Sequence, residues 1–209
     1  MDYKRIILVL LIAIMTVPAM GQISYGVRGG LSYTSLVQRM DDKNEVHGWN
    51  GFSIGGLVNV PVYRRFSVQP ELAFTRQGGG YYSGLGDEFS RVYSKYNYYS
   101  IQMPVNMVYT VPISGFRMSI LFGPAIDCSL FDKSPKICMQ EELGVDKNKV
   151  GNLKTWDFGV NVGLEGEYNN VFFSITALCG VLDRRSIKYA GEKQLYQNNL
   201  TFSLGYHFR

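Results

Sequence analysis

Residues 23–34 read ISYGVRGGLSYT, and their alternation decides the fold. Ile23, Tyr25, Val27, Gly29, Leu31 and Tyr33 fall on one side; Ser24, Gly26, Arg28, Gly30, Ser32 and Thr34 fall on the other. A period of two belongs to an extended strand, whose successive side chains point to opposite faces, and here one face meets an apolar medium. The pattern returns seven more times. Phe52, Ile54, Val58 and Val60 oppose Ser53, Gly55 and Asn59, and Phe66, Val68, Leu72 and Phe74 oppose Ser67, Gln69, Glu71 and Thr75. Tyr99 to Tyr109 and Met118 to Ile126 repeat it, as do Trp156 to Leu164 and Leu200 to Phe208. The run from Phe173 to Val181 is the least regular, because Phe172 and Leu178 fall on its polar side.

Between these runs the gaps alternate: 34–51, 77–97, 128–154 and 183–197 are long, whereas 61–65, 110–116 and 168–171 are short. Tight turns on one side and long loops on the other suit an up-and-down barrel with both termini on the short-turn side. Gly78-Gly79-Gly80 with Tyr81 and Tyr82 is then expected to open a flexible, aromatic surface loop; with no helix behind it, it is no phosphate cradle.

The chain has 209 residues, 46% hydrophobic, 14% aromatic and 18% charged, which fits one domain and excludes intrinsic disorder. A formal charge of +4 gives no argument for nucleic acid. Residues 1–21 read as a signal peptide: Lys4 and Arg5 precede an apolar run from Ile6 to Val17, and Ala19 and Gly21 supply small residues before cleavage at Gln22. That run is too short to span a bilayer as a helix. The expected domain is therefore 22–209, exported.

Eight amphipathic strands behind a leader also suit a soluble, lipocalin-like barrel with its apolar face inward. The charges favour the opposite orientation. Every lysine after Lys4 lies in or beside a long gap, while the polar strand faces carry Gly, Ser, Thr, Asn and Gln. Small polar side chains suit a crowded lumen, and Val, Ile, Leu and Phe then face lipid. Aromatic residues mark both ends: Tyr63, Phe66, Tyr109, Phe116, Tyr168, Tyr206 and Phe208 at the short turns, Tyr33, Trp49, Phe74, Tyr99 and Trp156 near the long loops. Such rings settle at the two headgroup levels. The expected fold is all-β: an eight-stranded antiparallel up-and-down transmembrane β-barrel with a filled polar lumen, in the outer membrane.

In order along the chain, Tyr25-Gly26-Val27-Arg28-Gly29-Gly30, Gln69-Pro70-Glu71-Leu72, Tyr99-Ser100-Ile101-Gln102-Met103-Pro104, Phe122-Gly123-Pro124, Asp157-Phe158-Gly159 and Leu204-Gly205-Tyr206-His207-Phe208 resemble the PorT-like outer-membrane β-barrel family of Bacteroidota. The resemblance implies an eight-stranded barrel, and the family's namesake is similar to an accessory factor of type IX secretion. One departure is Arg209, since barrels of this kind end on the aromatic residue itself.

Inward charges are Arg28, Glu71, Arg117, Asp127, Asp157, Glu165 and Glu167. Buried charges must pair or stay wet, so Arg28, Glu71, Arg117, Asp157, Glu165 and Glu167 are expected to form an ion-pair network that plugs the lumen; a proton or ion path is the alternative. The two histidines are His47, near Asp41, Asp42 and Glu45, and His207 on the last run, and no catalytic triad follows from them, so no enzyme is expected. Cys128 and Cys138 could close a disulfide in the third long loop, leaving Cys179 free on a lipid-facing run. No metal-ligand spacing stands out, and neither metal nor cofactor is expected. Trp49, Tyr81, Tyr82, Phe89, Tyr93 and Phe131 are the expected loop contacts. The functional expectation is a structural, binding or envelope- and secretion-accessory role through the extracellular loops. A narrow path for small solutes comes second and a lipid-modifying enzyme third. The expected partners are outer-membrane lipid and envelope or secretion-system proteins, not nucleic acid; the oligomeric state stays open.

Overall fold

The computed structural model describes residues 23–38, 48–84, 91–131, 136–140, 152–186 and 194–208, with backbone alone at 38, 81–84, 91–93, 131 and 136–140. The expected leader (1–21), His47 and Phe89 lie outside the described residues. Among the described residues no helix is long and apolar enough to cross a membrane. The chain is built from β1 (Ser24–Gln38), β2 (Trp49–Tyr63), β3 (Phe66–Gly84), β4 (Arg91–Ile113), β5 (Phe116–Phe131), β6 (Lys136–Gln140), β7 (Trp156–Tyr168), β8 (Val171–Gly180) and β9 (Leu195–Phe208). Each long strand pairs antiparallel with its neighbour, β3 pairs with β4, and β1 closes on β9 from Tyr25↔Phe208 to Gln38↔Leu195. The result is the expected eight-stranded closed barrel. A short ninth strand, β6, falls inside the third long gap and lies against the outer end of β4.

Two-residue connections make the short turns. Asn169 and Asn170 both take positive φ (47° and 69°), as do Ser114 and Gly115 (43° and 86°), the geometry that matches the twist of an antiparallel hairpin. Asn and Gly tolerate that region best, so local sequence fixes both turns.

Burial alternates as the period requires. On β7, Asp157, Gly159, Asn161, Gly163, Glu165 and Glu167 are buried, while Trp156, Phe158, Val162, Leu164 and Tyr168 are exposed on the outside. With the apolar face turned out and the polar face in, the bilayer solvates the exterior and no polar backbone edge is left in hydrocarbon. At the lower rim Phe66 packs on Tyr109 (4.9 Å between centroids) and Tyr206 on Phe208 (5.2 Å); at the upper rim Phe74 stacks on Tyr99 (5.5 Å). The irregular run is explained too. Phe172 and Leu178 point inward and are buried, Phe172 in the space that Gly205 leaves open.

The second long gap corrects the expectation of a flexible loop. β3 and β4 stay paired out to Gly84↔Arg91, so Gly78-Gly79-Gly80, Tyr81 and Tyr82 belong to β3 and Tyr93 to β4. Beyond Arg76↔Tyr99 the ladder runs on from Gln77 to Gly84, about 27 Å at strand rise. The glycines serve a close approach. The Gly78 N–H donates to Thr34 Oγ1 (2.9 Å), Thr34 Oγ1 donates to the Gly78 carbonyl (2.8 Å), and a Cβ on Gly79 would lie 2.7 Å from the Leu36 backbone nitrogen. The upper part of β3 therefore packs against β1.

Candidate lumen site

Side chains from all eight long strands fill the lumen, and they sort into two charged layers. The upper layer centres on Asp127 of β5. Its Oδ2 accepts from Gln77 Nε2 (2.6 Å) and Ser100 Oγ (3.0 Å). Tyr98, fully buried, donates to Gln197 Oε1 (2.7 Å) across the barrel. Arg184 enters from the connection after β8 and is 0% exposed. It donates to Ser129 Oγ (2.7 Å) and Tyr98 Oη (3.4 Å), and its Nε lies 4.0 Å from Asp157 Oδ2. Burial opposes the Arg184 charge, but Tyr98, Asp127 and Asp157 outweigh that penalty and raise its pKa. The backbone holds this segment in place: Arg184 N–H donates to the Leu195 carbonyl, Lys154 N–H to the Arg184 carbonyl, and Leu195 N–H to Asp183 Oδ1. Leu36, Tyr96, Tyr98, Leu153 and Leu195 pack together as an apolar cluster. Hydrophobic and ionic groups thus share the upper end of the lumen.

The lower layer holds the other charges. Arg28 Nη2 lies 2.5 Å from Glu71 Oε1, both nearly fully buried. Arg117 Nη2 donates to Glu167 Oε1, and Glu167 Oε2 lies 3.2 Å from His207 Nδ1. Glu165 stands two residues from Glu167 on the same inward face of β7. Phe172 stacks on the His207 ring (4.4 Å between centroids, 25° between planes). Gly26 makes room for that ring, since a Cβ there would lie 2.8 Å from His207 Cδ2. Glu165, Glu167 and His207 bring their ligand atoms within 4.8 Å of one another. Below them a cavity of about 400 Å³ opens at the short-turn end, lined by Arg64, Arg65, Arg117, Glu165 and Glu167 among others. Between the layers, neutral groups bond to one another, Ser53 to Thr75 (3.1 Å) and Asn161 to Asn106 (2.8 Å), while Thr110 and Ser119 bond (2.9 Å) in the wall of the lower cavity.

Of the expected network, the structure brings Arg28 to Glu71 and Arg117 to Glu167, with Glu165 beside the second pair. Asp157 does not join them. It lies opposite Asp127 at the other end of the lumen and is paired with Arg184. The sequence reading missed Arg184, whose place in a long gap carries no periodic signal. It also missed the contact of His207 with Glu167, although the inward position of His207 was readable.

The expected contact residues that are described, all but Phe89, lie in strands. Trp49 opens β2 and is half-buried, its ring over Gly78 with Lys95 Nζ 4.1 Å from the centroid. Tyr81, Tyr82 and Tyr93 lie in the extended hairpin, and Phe131 ends β5. The Cys128–Cys138 bridge is ruled out by register. Cys128 pairs with Ile101, whereas Cys138 stands beside Ser94, seven positions along β4 or about 23 Å away. A disulfide needs Cα atoms within about 7 Å, and Cys128 is a free thiol, as is Cys179.

A family model described as "Outer membrane protein beta-barrel domain" matches residues 17–182. Among solved structures, the attachment invasion locus protein Ail of Yersinia pestis is 13% identical, with 90% of this chain and 100% of that chain covered and a TM-score of 0.43. Neisserial surface protein A is 10% identical, with the same coverage and a TM-score of 0.44. OprG of Pseudomonas aeruginosa is 12% identical, with 89% and 96% covered and a TM-score of 0.44. No curated protein matches the chain.

Proposed function

This chain belongs to the outer membrane protein β-barrel domain family and resides in the outer membrane; on that premise we propose that it is a closed barrel whose work is done by the surface it presents outside the cell, not by transport through its lumen. The observation that carries this reading is the filling of the upper lumen. Arg184, Tyr98, Tyr96, Leu36 and Leu195 are all buried there, and an eight-stranded barrel has only enough interior to be filled by side chains. Passage of a solute would require Arg184 to abandon Ser129, Tyr98 and Asp157 at once.

The presented surface is the β3–β4 hairpin with β6 on its edge. Three paired strands beyond the membrane form a stiffer platform than loops, and a preordered platform binds with less loss of entropy. Its role is non-enzymatic: anchoring, scaffolding or recognition, in line with a PorT-like accessory to secretion or envelope assembly. Cross-linking a protein tagged in the 187–193 connection should capture an envelope component that is lost when residues 79–95 are replaced by a two-residue turn. Planar-bilayer recording should show no channel steps. Well-defined unitary conductance in the unaltered protein, with capture unaffected by the hairpin deletion, would favour the transport reading instead.

A further inference from the structure

We propose that Glu165, Glu167 and His207 form a binding site for one divalent transition-metal ion at the periplasmic end of the lumen. Two inward positions of β7 supply the carboxylates, and β9 brings the imidazole to them, so the ligand atoms gather within 4.8 Å of one another. The imidazole is fixed before any ion arrives. Phe172 stacks on one face, and the absent side chain of Gly26 leaves the ring its place. His207 is 1% exposed, yet neither its Nδ1 nor its Nε2 makes a hydrogen bond. A buried nitrogen in that state calls for a ligand.

Charge points the same way. In the lower layer the buried Arg28 and half-buried Arg117 face Glu71, Glu165 and Glu167, one carboxylate more than the cations, while Arg64 and Arg65 stand exposed at the cavity mouth. Arg117 donates to Oε1 of Glu167, and Oε2 lies 3.2 Å from His207 Nδ1. Two ligands held at about 2.1 Å in tetrahedral geometry stand about 3.4 Å apart, so this pair is already near its bound spacing. The ion has a way in, because Glu165 and Glu167 also line the cavity open at the short-turn end, where water can complete the coordination. One imidazole with two carboxylates suits Zn²⁺ and its first-row neighbours, whereas Mg²⁺ and Ca²⁺ favour all-oxygen sets of six or more. The bound ion would tie β7 to β9 across β8, next to the seam where β9 meets β1.

Isothermal titration of the tag-free chain, refolded in detergent, tests this with Zn²⁺ alone. One ion per barrel is expected, with Mg²⁺ at least tenfold weaker. His207→Ala and Glu165→Gln should each weaken Zn²⁺ binding at least ~10-fold, the loss that even an outer-shell change can cause. Glu165→Gln keeps the side-chain shape, and a heat-modifiability gel confirms that each variant is folded. Zn²⁺ should also raise the urea midpoint of the unaltered chain but not of Glu165→Gln. The remaining histidine is the control: His47→Ala should bind as before. A folded, unaltered barrel that takes up no Zn²⁺, equal affinity in Glu165→Gln, or loss of binding in His47→Ala would each overturn the proposal.

Discussion

Replacing Arg28 by alanine probes the lumen most sharply. Its guanidinium lies 2.5 Å from Glu71, and the two side chains are 7% and 0% exposed. Without it, Glu71 is left buried with no guanidinium beside it, and three carboxylates of the lower layer are left facing Arg117 and His207. Removing one partner of a buried pair costs about 3–5 kcal/mol, whereas replacing both by neutral groups of similar volume is often close to neutral. Arg28→Ala should therefore lower the folding constant by roughly two to three and a half orders of magnitude. Arg28→Met combined with Glu71→Gln should come back to within about 1 kcal/mol of the unaltered protein, a non-additivity that marks direct coupling. The assay is urea unfolding in lipid vesicles, followed by tryptophan fluorescence and by the gel mobility of the unboiled barrel. If Arg28→Ala stays within about 0.5 kcal/mol, as an ordinary surface substitution would, the pair does not hold the lumen together and the reasoning fails.

Other consequences follow from the same geometry. Val162 lies midway between Trp156 and Tyr168 on the outer face and is 45% exposed; Val162→Arg should cost about 2–4 kcal/mol in vesicles, read from the urea midpoint. Gly79→Leu would drive a side chain into the backbone of Leu36, so the upper part of β3 should detach and limited proteolysis should cut within residues 77–95 while the membrane part stays protected. Arg184→Ala removes the cation from the upper layer and should introduce small, irregular conductance in planar bilayers, against the silent recording expected of the unaltered protein. All three cysteines should alkylate after denaturation without reductant, and a product with fewer than three labels would contradict the register that separates Cys128 from Cys138.

The fold was legible because the medium writes itself into the chain. Ile23 to Thr34 alternates without a break, and a strand with lipid on one side and a crowded polar lumen on the other leaves each position little choice. The short gap 168–171 likewise marked a turn, and Asn169 and Asn170 fill it with the positive φ that asparagine tolerates. The height of a charge inside the barrel was much less legible. Asp157 and Glu165 share a face of β7, but the distance between them and the stagger of neighbouring strands put Asp157 beside Arg184 and Glu165 beside His207. Periodicity says which way a side chain points, not which residue it meets. Gly78-Gly79-Gly80 was misread because glycine both breaks strands and permits close backbone approach, and here Leu36 across the gap selects the second use. Phe172 and Leu178 looked like lapses in the pattern and are instead the apolar filling of the lumen, Phe172 seating the His207 ring.

The central claim is that hydrocarbon, not water or a private core, touches the apolar exterior. Nitroxide labels on cysteines placed at Leu164 and Ile120, both outward and exposed, test it in vesicles once the native cysteines are replaced. Labels at both sites should collide far more often with oxygen dissolved in the bilayer than with a water-soluble nickel chelate. Equal or greater access to the chelate, in a protein that stays monodisperse without detergent, would mean that the barrel is inside out from the one described.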